Sequence, residues 1–134
     1  MQSQADFVTS VMRNERIWKW VRIDEIQREN FSYVDNEIYY TNDHGFVNFR
    51  KITPTMYDVH ICMLKGAKEV DSFFLDSLEK MRAKGAEKFL GTIGDWNRPA
   101  LKLALRCGFK EEGRISKAYQ RDGIYRSMVM MGRT

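Results

Sequence analysis

The spacing of apolar residues first follows a helical period. Residues 3–13 place apolar side chains at helical spacing behind Ser3, which predicts a short helix with Ser3 as its N-cap. A second helix is predicted over residues 16–27, where apolar residues crowd one side. Trp18 and Trp20 lie on that side, and aromatic residues at such spacing favour burial in a core over a stacking or interface role.

From Phe31 onwards the apolar pattern takes the period of two that is typical of strands. Residues 37–41 predict a strand, residues 42–45 a turn, and residues 46–52 the returning strand of a hairpin. Residues 56–64 alternate cleanly between apolar and polar positions and predict a third strand. We therefore expect three consecutive antiparallel strands.

The second half of the chain alternates helices with strands. A strand, helix and strand in succession require a right-handed parallel crossover within one sheet. We therefore expect an α/β fold in a single domain over residues 1–134, with a mixed, mostly antiparallel central sheet and helices on both faces. The predicted elements of this half are a helix over 67–83, a strand over 88–93, a helix over 97–107, and hairpin strands over 113–119 and 124–131.

Composition and charge argue against a disordered chain, a nucleic-acid-binding protein and a metal-binding protein. The 134 residues are 43% hydrophobic and 30% charged, which is enough apolar surface to offset chain entropy. Lysine and arginine number 22 against 18 acidic residues with the signs interspersed, so we expect a solvated surface and no nucleic-acid partner. Cys62 and Cys107 lie in apolar runs, as reduced core thiols do. His44 and His60 lack partners at ligand spacing, so no metal is expected.

The N-terminal sequence lacks the basic start and apolar run of a secretory signal. No apolar run approaches the roughly 18 residues that a helix needs to span a bilayer. We therefore expect no membrane partner and a cytoplasmic location.

The stretch from Asn97 to Phe109 carries a recognisable spacing. Asn97 suits an N-cap, and Gly108 suits the left-handed residue just past a helix end. Asn97, Ala100, Gly108 and Phe109 also stand in an N-x-x-A-x-x-x-x-x-x-x-G-F register, which a short strand precedes and an E-E-G sequence follows. This arrangement resembles the C-terminal half of the GNAT superfamily of N-acetyltransferases.

The resemblance covers residues 56–131 and implies a site for acetyl-CoA as co-substrate. It implies that the strands over 56–64 and 88–93 splay apart, with the acyl-CoA in the gap and Asn97 against its pantetheine arm. It also implies that the loop before the long helix cradles the pyrophosphate with backbone N–H groups, which suits the partial positive charge of a helix N-terminus. The loop residues implied are Met63, Leu64, Lys65, Gly66, Ala67 and Lys68.

The loop departs from the glycine-rich pattern of that superfamily, and two alignments are open. If the helices are aligned by their apolar faces, Glu69 and Asp71 stand where small residues are usual and bring carboxylates beside a pyrophosphate. If the loop is one turn shorter, residues 65–68 form a reduced cradle in which Lys65 and Lys68 supply two cations.

Candidate catalytic residues follow from the same resemblance. Many members carry a tyrosine seven residues after the asparagine as general acid, but Ala104 stands there, so the proton would come from Tyr119, Tyr125, another group or water. A general base is expected on the strand over 56–64, where Asp58 and His60 point to the same face. A hydrogen-bonded structural role is the alternative for His60.

A basic stripe runs along the helix over 97–107. Arg98, Lys102 and Arg106 share one helical face at intervals of four residues. They either meet the 3'-phosphate of CoA or form a solvated face.

Two functions are therefore expected from the sequence. The first is an N-acetyltransferase that transfers an acyl group from acetyl-CoA to a primary amine of unknown identity. The alternative is a catalytically silent protein of the same fold, resembling small bacteriophage proteins, that contributes to head assembly or to the virion through protein partners. Eight methionines and seventeen aromatic residues (three Trp, six Tyr and eight Phe) suit an adhesive surface as well as a core. A phage protein of this kind would be found in the host cytoplasm or the virion.

Overall fold

Four helices and six strands form within residues 2–22 and 37–134, the part of the chain that the computed structural model describes. Residues 23–27 of the second predicted helix lie outside the described residues. The helices are α1 (Gln4–Met12), α2 (Glu15–Val21), α3 (Val70–Ala83) and α4 (Arg98–Arg106). The strands are β1 (Ile38–Asn42), β2 (Gly45–Lys51), β3 (Met56–Met63), β4 (Lys88–Gly94), β5 (Lys110–Arg121) and β6 (Ile124–Arg133).

The six strands form one sheet in the order β1-β2-β3-β4-β6-β5. Only β3 and β4 pair in parallel among the described strands, with α3 as their connection, and every other neighbouring pair is antiparallel. The prediction of a mixed, mostly antiparallel sheet is therefore confirmed. The turn between β5 and β6 holds Asp122 and Gly123 at φ of 54° and 74°, as its Asp-Gly sequence predicts.

Helices cover the two faces of the sheet, as predicted. On one face α3 and α4 pack together, and the rings of Phe74 and Phe109 stack with centroids 5.7 Å apart. On the other face α1 buries Val8 and Val11 against Phe46 and Cys62. The main core therefore lies between the sheet and α3 with α4. Its most deeply buried side chains are Val47, Phe49, Leu78, Met81, Phe89, Val129 and Met131.

Two predicted boundaries were wrong. The long helix starts at Val70 and not at residue 67, because Gly66 and Glu69 adopt positive φ angles of 88° and 54°. A chain with these left-handed residues cannot continue a right-handed helix. The first strand of the closing hairpin starts at Lys110, directly after Phe109, and not at Gly113.

The core role expected for the tryptophans of α2 was also wrong. No side chain of Glu15–Val21, all of them described, is buried, and Trp20 is 37% exposed. Ile17 packs against the smaller core cluster beside α1, and the end of the helix is held through its backbone carbonyls. Trp96 Nε1 donates to Trp20 O at 2.7 Å. The Arg121 guanidinium donates to Lys19 O and Arg22 O at 2.6 and 3.1 Å, so side chains distant in sequence hold the end of α2.

Candidate functional site

The parallel strands β3 and β4 pair over only the first part of their length. Their pairing runs from Met56 with Lys88 to Asp58 with Leu90. Beyond that point β3 continues to Met63, and β4 continues to Gly94, where it pairs with β6 on its other side. The sheet therefore opens into a gap whose walls are two diverging strand edges.

A cavity of about 340 Å³ occupies this gap, which is within the usual size range of small-molecule sites. Phe74 of α3 and Ala100 of α4 line it on one face of the sheet, and Trp18 and Trp20 of α2 line it on the other. The cavity therefore reaches through the sheet from the α4 side to the α2 side.

Asn97 is both a helix cap and a wall of this cavity. Its Oδ1 accepts a hydrogen bond from Ala100 N at 3.3 Å, and Pro99 occupies the first turn of α4. The same residue lies among those that line the gap. The predicted cap is confirmed, and the residue also lies where the sequence places a ligand contact.

Ala104 faces the cavity, so the position at which the sequence resemblance implies a tyrosine carries only a methyl group. Tyr119 of β5 also lines the cavity, and its ring meets Trp96 edge to face at 6.4 Å between centroids. Tyr125, by contrast, is 58% exposed and lies outside the lining. Of the two tyrosines considered as proton donors, Tyr119 is the one placed at the cavity.

Asp58 and His60 lie on the same face of β3, as predicted. His60 lines the cavity and is about half exposed, whereas Asp58 is buried behind it. The Asp58 Oδ2 atom lies 3.4 Å from His60 Nε2 and 3.2 Å from the guanidinium of Arg50. The other carboxylate oxygen, Oδ1, is buried without a hydrogen-bond partner in the described structure. This arrangement can orient the imidazole towards the cavity.

The start of α3 carries two carboxylates, as the first of the two alignments requires. Glu69 is the N-cap and makes no side-chain cap hydrogen bond, and Asp71 lies in the first turn. Arg106 of α4 holds Asp71 in a bidentate pair of 2.9 and 3.0 Å, and this hydrogen bonding lowers the pKa of Asp71. One member of the basic stripe is therefore committed to an acidic partner, whereas Arg98 and Lys102 are exposed.

The predicted phosphate loop lies beside the cavity lining and not within it. Met63 ends β3, and Lys65, Gly66 and Lys68 are exposed or partly exposed in the connection to α3. Two backbone N–H groups of the loop already donate within the fold. The amide of Leu64 donates to His44 O at 2.6 Å, and the amide of Ala67 donates to Leu64 O at 3.3 Å.

Solved structures that resemble this chain are N-acetyltransferases. A ribosomal-protein-alanine N-acetyltransferase of Brucella melitensis matches over 98% of this chain and 95% of its own, at 14% identity and a TM-score of 0.70. An acetyltransferase of the GNAT family from Streptococcus pneumoniae matches over 75% and 68%, at 24% identity and a TM-score of 0.61. The chain has the GNAT N-acetyltransferase fold.

The fold likeness extends over less of other acetyltransferases. The match with a Salmonella typhimurium protein, described as an acetyltransferase and solved with acetyl-CoA, has 11% identity and a TM-score of 0.61. It covers 68% of this chain and 57% of that protein, so this chain spans less than two thirds of its length. No protein-family model and no curated protein matches the sequence. No helix in the described part of the chain combines the length and the apolarity needed to cross a membrane.

Within this GNAT fold, sequence reasoning missed the aromatic side of the cavity. The chain contains three tryptophans, and all of them, Trp18, Trp20 and Trp96, line this one cavity. Trp96 follows β4 directly, and an added Cβ on Gly94 would lie 2.4 Å from its ring. The glycine at the strand end, two residues before a tryptophan, is the sequence signal that could have placed that ring over the backbone.

Proposed function

We propose that this protein transfers an acetyl group from acetyl-CoA to a primary amine. The observation that carries the proposal is the separation of β3 from β4 beyond Asp58 and Leu90, which opens a cavity lined by Asn97. None of the described strands pairs with the diverging edges there, so their backbone groups are available to a pantetheine amide. This fits an elongated co-substrate better than a compact metabolite.

The charges around the start of α3 fit a pyrophosphate. The first N–H groups of α3 have no partner within the helix, and they point towards its N-terminal end. Asp71 is paired with Arg106, and the segment before it carries one further carboxylate, Glu69, and two exposed cations, Lys65 and Lys68. The carboxylates that counted against binding in the sequence therefore contribute less negative charge than their number suggests.

The chain offers groups for each proton movement of such a transfer. Bound acetyl-CoA supplies the acetyl group as an activated thioester. The imidazole of His60, whose Nε2 lies 3.4 Å from Asp58 Oδ2, takes the proton from the attacking amine. The new N–C bond replaces the C–S bond, and Tyr119 or water returns a proton to the departing thiolate. Backbone N–H groups of β3 that face the gap are placed to stabilise negative charge on the carbonyl oxygen.

Thermal unfolding with and without acetyl-CoA tests the proposal. A ligand present at about 100 times its dissociation constant adds about 2.7 kcal/mol, which for a chain of this length raises Tm by about 10 °C. Ala104→Trp fills the cavity and should abolish that rise. Leu105→Trp places the same side chain on a neighbouring position that is 61% exposed, and should keep it. An unchanged Tm for the wild type at millimolar acetyl-CoA would refute acetyl-CoA binding.

A catalytically silent role is the second candidate. Ala104 at the usual tyrosine position and Glu69 at the α3 N-cap favour it, since neither matters to a protein that acts through contacts alone. Its partners would be proteins, as in the head assembly or virion of a bacteriophage. A wild type that gives no acetyl-CoA shift but associates with such proteins would support this candidate.

A further inference from the structure

The lining of the cavity carries no formal charge among the described residues. Apart from the imidazole of His60, its side chains are apolar, aromatic or neutral polar. Aromatic rings from three elements meet on the α2 side: Trp20 from α2, Trp96 after β4, and Tyr119 from β5. The region that an acceptor would enter is therefore an aromatic chamber, to whose lining residues 2–22 and 37–134 contribute no carboxylate, lysine or arginine side chain.

We propose that the acceptor is a monoamine carried on an aromatic or aliphatic body, with no second charged group. The proposal rests on the proposed acetyl transfer and names the substrate class of the same site. It excludes two other classes of amine: polyamines, and amino acids with a free carboxylate.

The aromatic wall is held in place before any ligand arrives. The indole N–H of Trp96 donates to Trp20 O at 2.7 Å, and its ring lies directly against Gly94. The Arg121 guanidinium lies 5.1 Å from the centre of the same ring. A wall fixed by these contacts loses little freedom on binding, which favours flat or compact apolar groups.

Additional charges on an acceptor would find no ionic partner among the described side chains that line this chamber. Two carboxylates close in sequence to lining residues already have partners: Asp58 faces Arg50 and His60, and Asp95 lies 3.0 Å from Arg126. The Arg121 guanidinium donates to the carbonyls of Lys19 and Arg22, so these N–H groups are not available to a substrate carboxylate. Burying an unpaired ion in an apolar site is costly, whereas a single ammonium can approach aromatic faces before it loses its proton.

Two matched pairs of amines test this inference through initial rates of CoA release. 2-Phenylethylamine and L-phenylalanine differ by one carboxylate, and hexylamine and 1,6-diaminohexane differ by one amine. We expect kcat/KM to fall about 100-fold on adding either charge, because each added ion is buried unpaired. Equal values within either pair, or a preference for the doubly charged member, would overturn the inference.

Substitutions at Trp20 and Tyr125 test which side chains bind the acceptor. Trp20→Leu removes one aromatic wall but keeps the backbone carbonyl that Trp96 contacts, and should raise KM for 2-phenylethylamine about tenfold. It should leave the Kd of acetyl-CoA unchanged. Tyr125→Leu is the control, since this tyrosine is 58% exposed and outside the lining, and it should change neither constant. An unchanged KM in Trp20→Leu would contradict the inference.

Calorimetric titrations separate this inference from the proposed function. Acetyl-CoA and 2-phenylethylamine are titrated individually into the wild type and into Trp20→Leu. If acetyl-CoA binds but 2-phenylethylamine neither binds nor reacts, the acceptor class is wrong and the proposed function stands. If acetyl-CoA does not bind, the proposed function fails. In that case, binding of 2-phenylethylamine that is weakened in Trp20→Leu still supports an aromatic amine site, and its absence overturns the inference.

Discussion

Replacing Gly94 by alanine should displace the ring that joins β4 to α2. An added Cβ would stand 2.4 to 2.5 Å from three ring atoms of Trp96, well inside van der Waals contact. The ring can withdraw only by weakening its hydrogen bond to Trp20 O, which contributes about 1 kcal/mol. It would also leave the Arg121 guanidinium, a contact of about 0.5–1 kcal/mol.

The expected net loss is about 1 kcal/mol. Alanine in a strand is favoured over glycine by about 0.5–1 kcal/mol, which offsets part of the two lost contacts. If the ring does not withdraw, overpacking takes their place at about 1–3 kcal/mol. Either outcome lowers the free energy of unfolding and disturbs the environment of a tryptophan.

Urea unfolding followed by tryptophan fluorescence measures this loss, and near-ultraviolet circular dichroism reports the displaced indole. Gly113→Ala is the matched control, because that glycine also lies in a strand and an added Cβ would meet nothing within 4 Å. We expect Gly113→Ala to be neutral or slightly stabilising. Equal stability and identical spectra for the two variants would refute the view that Trp96 is fixed against Gly94.

Three further predictions concern the cap, a thiol and an ion pair. Asn97→Ala should lose about 1 kcal/mol of unfolding free energy in urea, because Ala100 N loses its cap, and Asn97→Asp should keep most of it. Burial raises the pKa of the Cys62 thiol to about 12, so the folded protein keeps a proton that the unfolded chain loses. Stability should therefore fall by about 1.5 kcal/mol from pH 8 to pH 10, and less steeply in Cys62→Ala, as pH-dependent denaturation would show. Because Arg106 lowers the pKa of Asp71, the stability from this pair is present above the unfolded pKa and lost on acidification. Asp71→Asn should therefore have a shallower acid decline in thermal melts, and an equally steep one would contradict the pair's contribution.

Local rules predicted most of the fold, because its signals are short-range. Alternation predicted the strands of the first hairpin, and the Asp-Gly turn predicted the last. The cap at Asn97 depends on a residue three positions away, so it too could be read directly. The start of α3 could not be read from the sequence, because the backbone of Glu69 adopts a left-handed conformation that is unusual for a residue with a Cβ.

The role of α2 was beyond local rules for a different reason. An apolar stripe looks the same whether it packs into a core or borders a cavity. In this chain Trp96 and Arg121 hold α2 beside the cavity. They donate to carbonyls of α2 that lie 76 and 102 positions earlier in the chain. The aromatic chamber is therefore a tertiary property, although every residue in it was visible in the sequence.

Tyr119 can supply the proton that a tyrosine at position 104 of α4 would otherwise supply. Ala104 leaves the α4 side of the cavity without an acid, but Tyr119 reaches the same cavity from β5. Its ring packs on Trp96, which also forms the proposed acceptor wall, so under that proposal a proton from its hydroxyl would arrive from the acceptor side. An acceptor that disturbs Trp96 would then disturb the proton donor as well. The absence of the usual tyrosine is thus compatible with catalysis, provided that one aromatic cluster both holds the amine and protonates the thiolate.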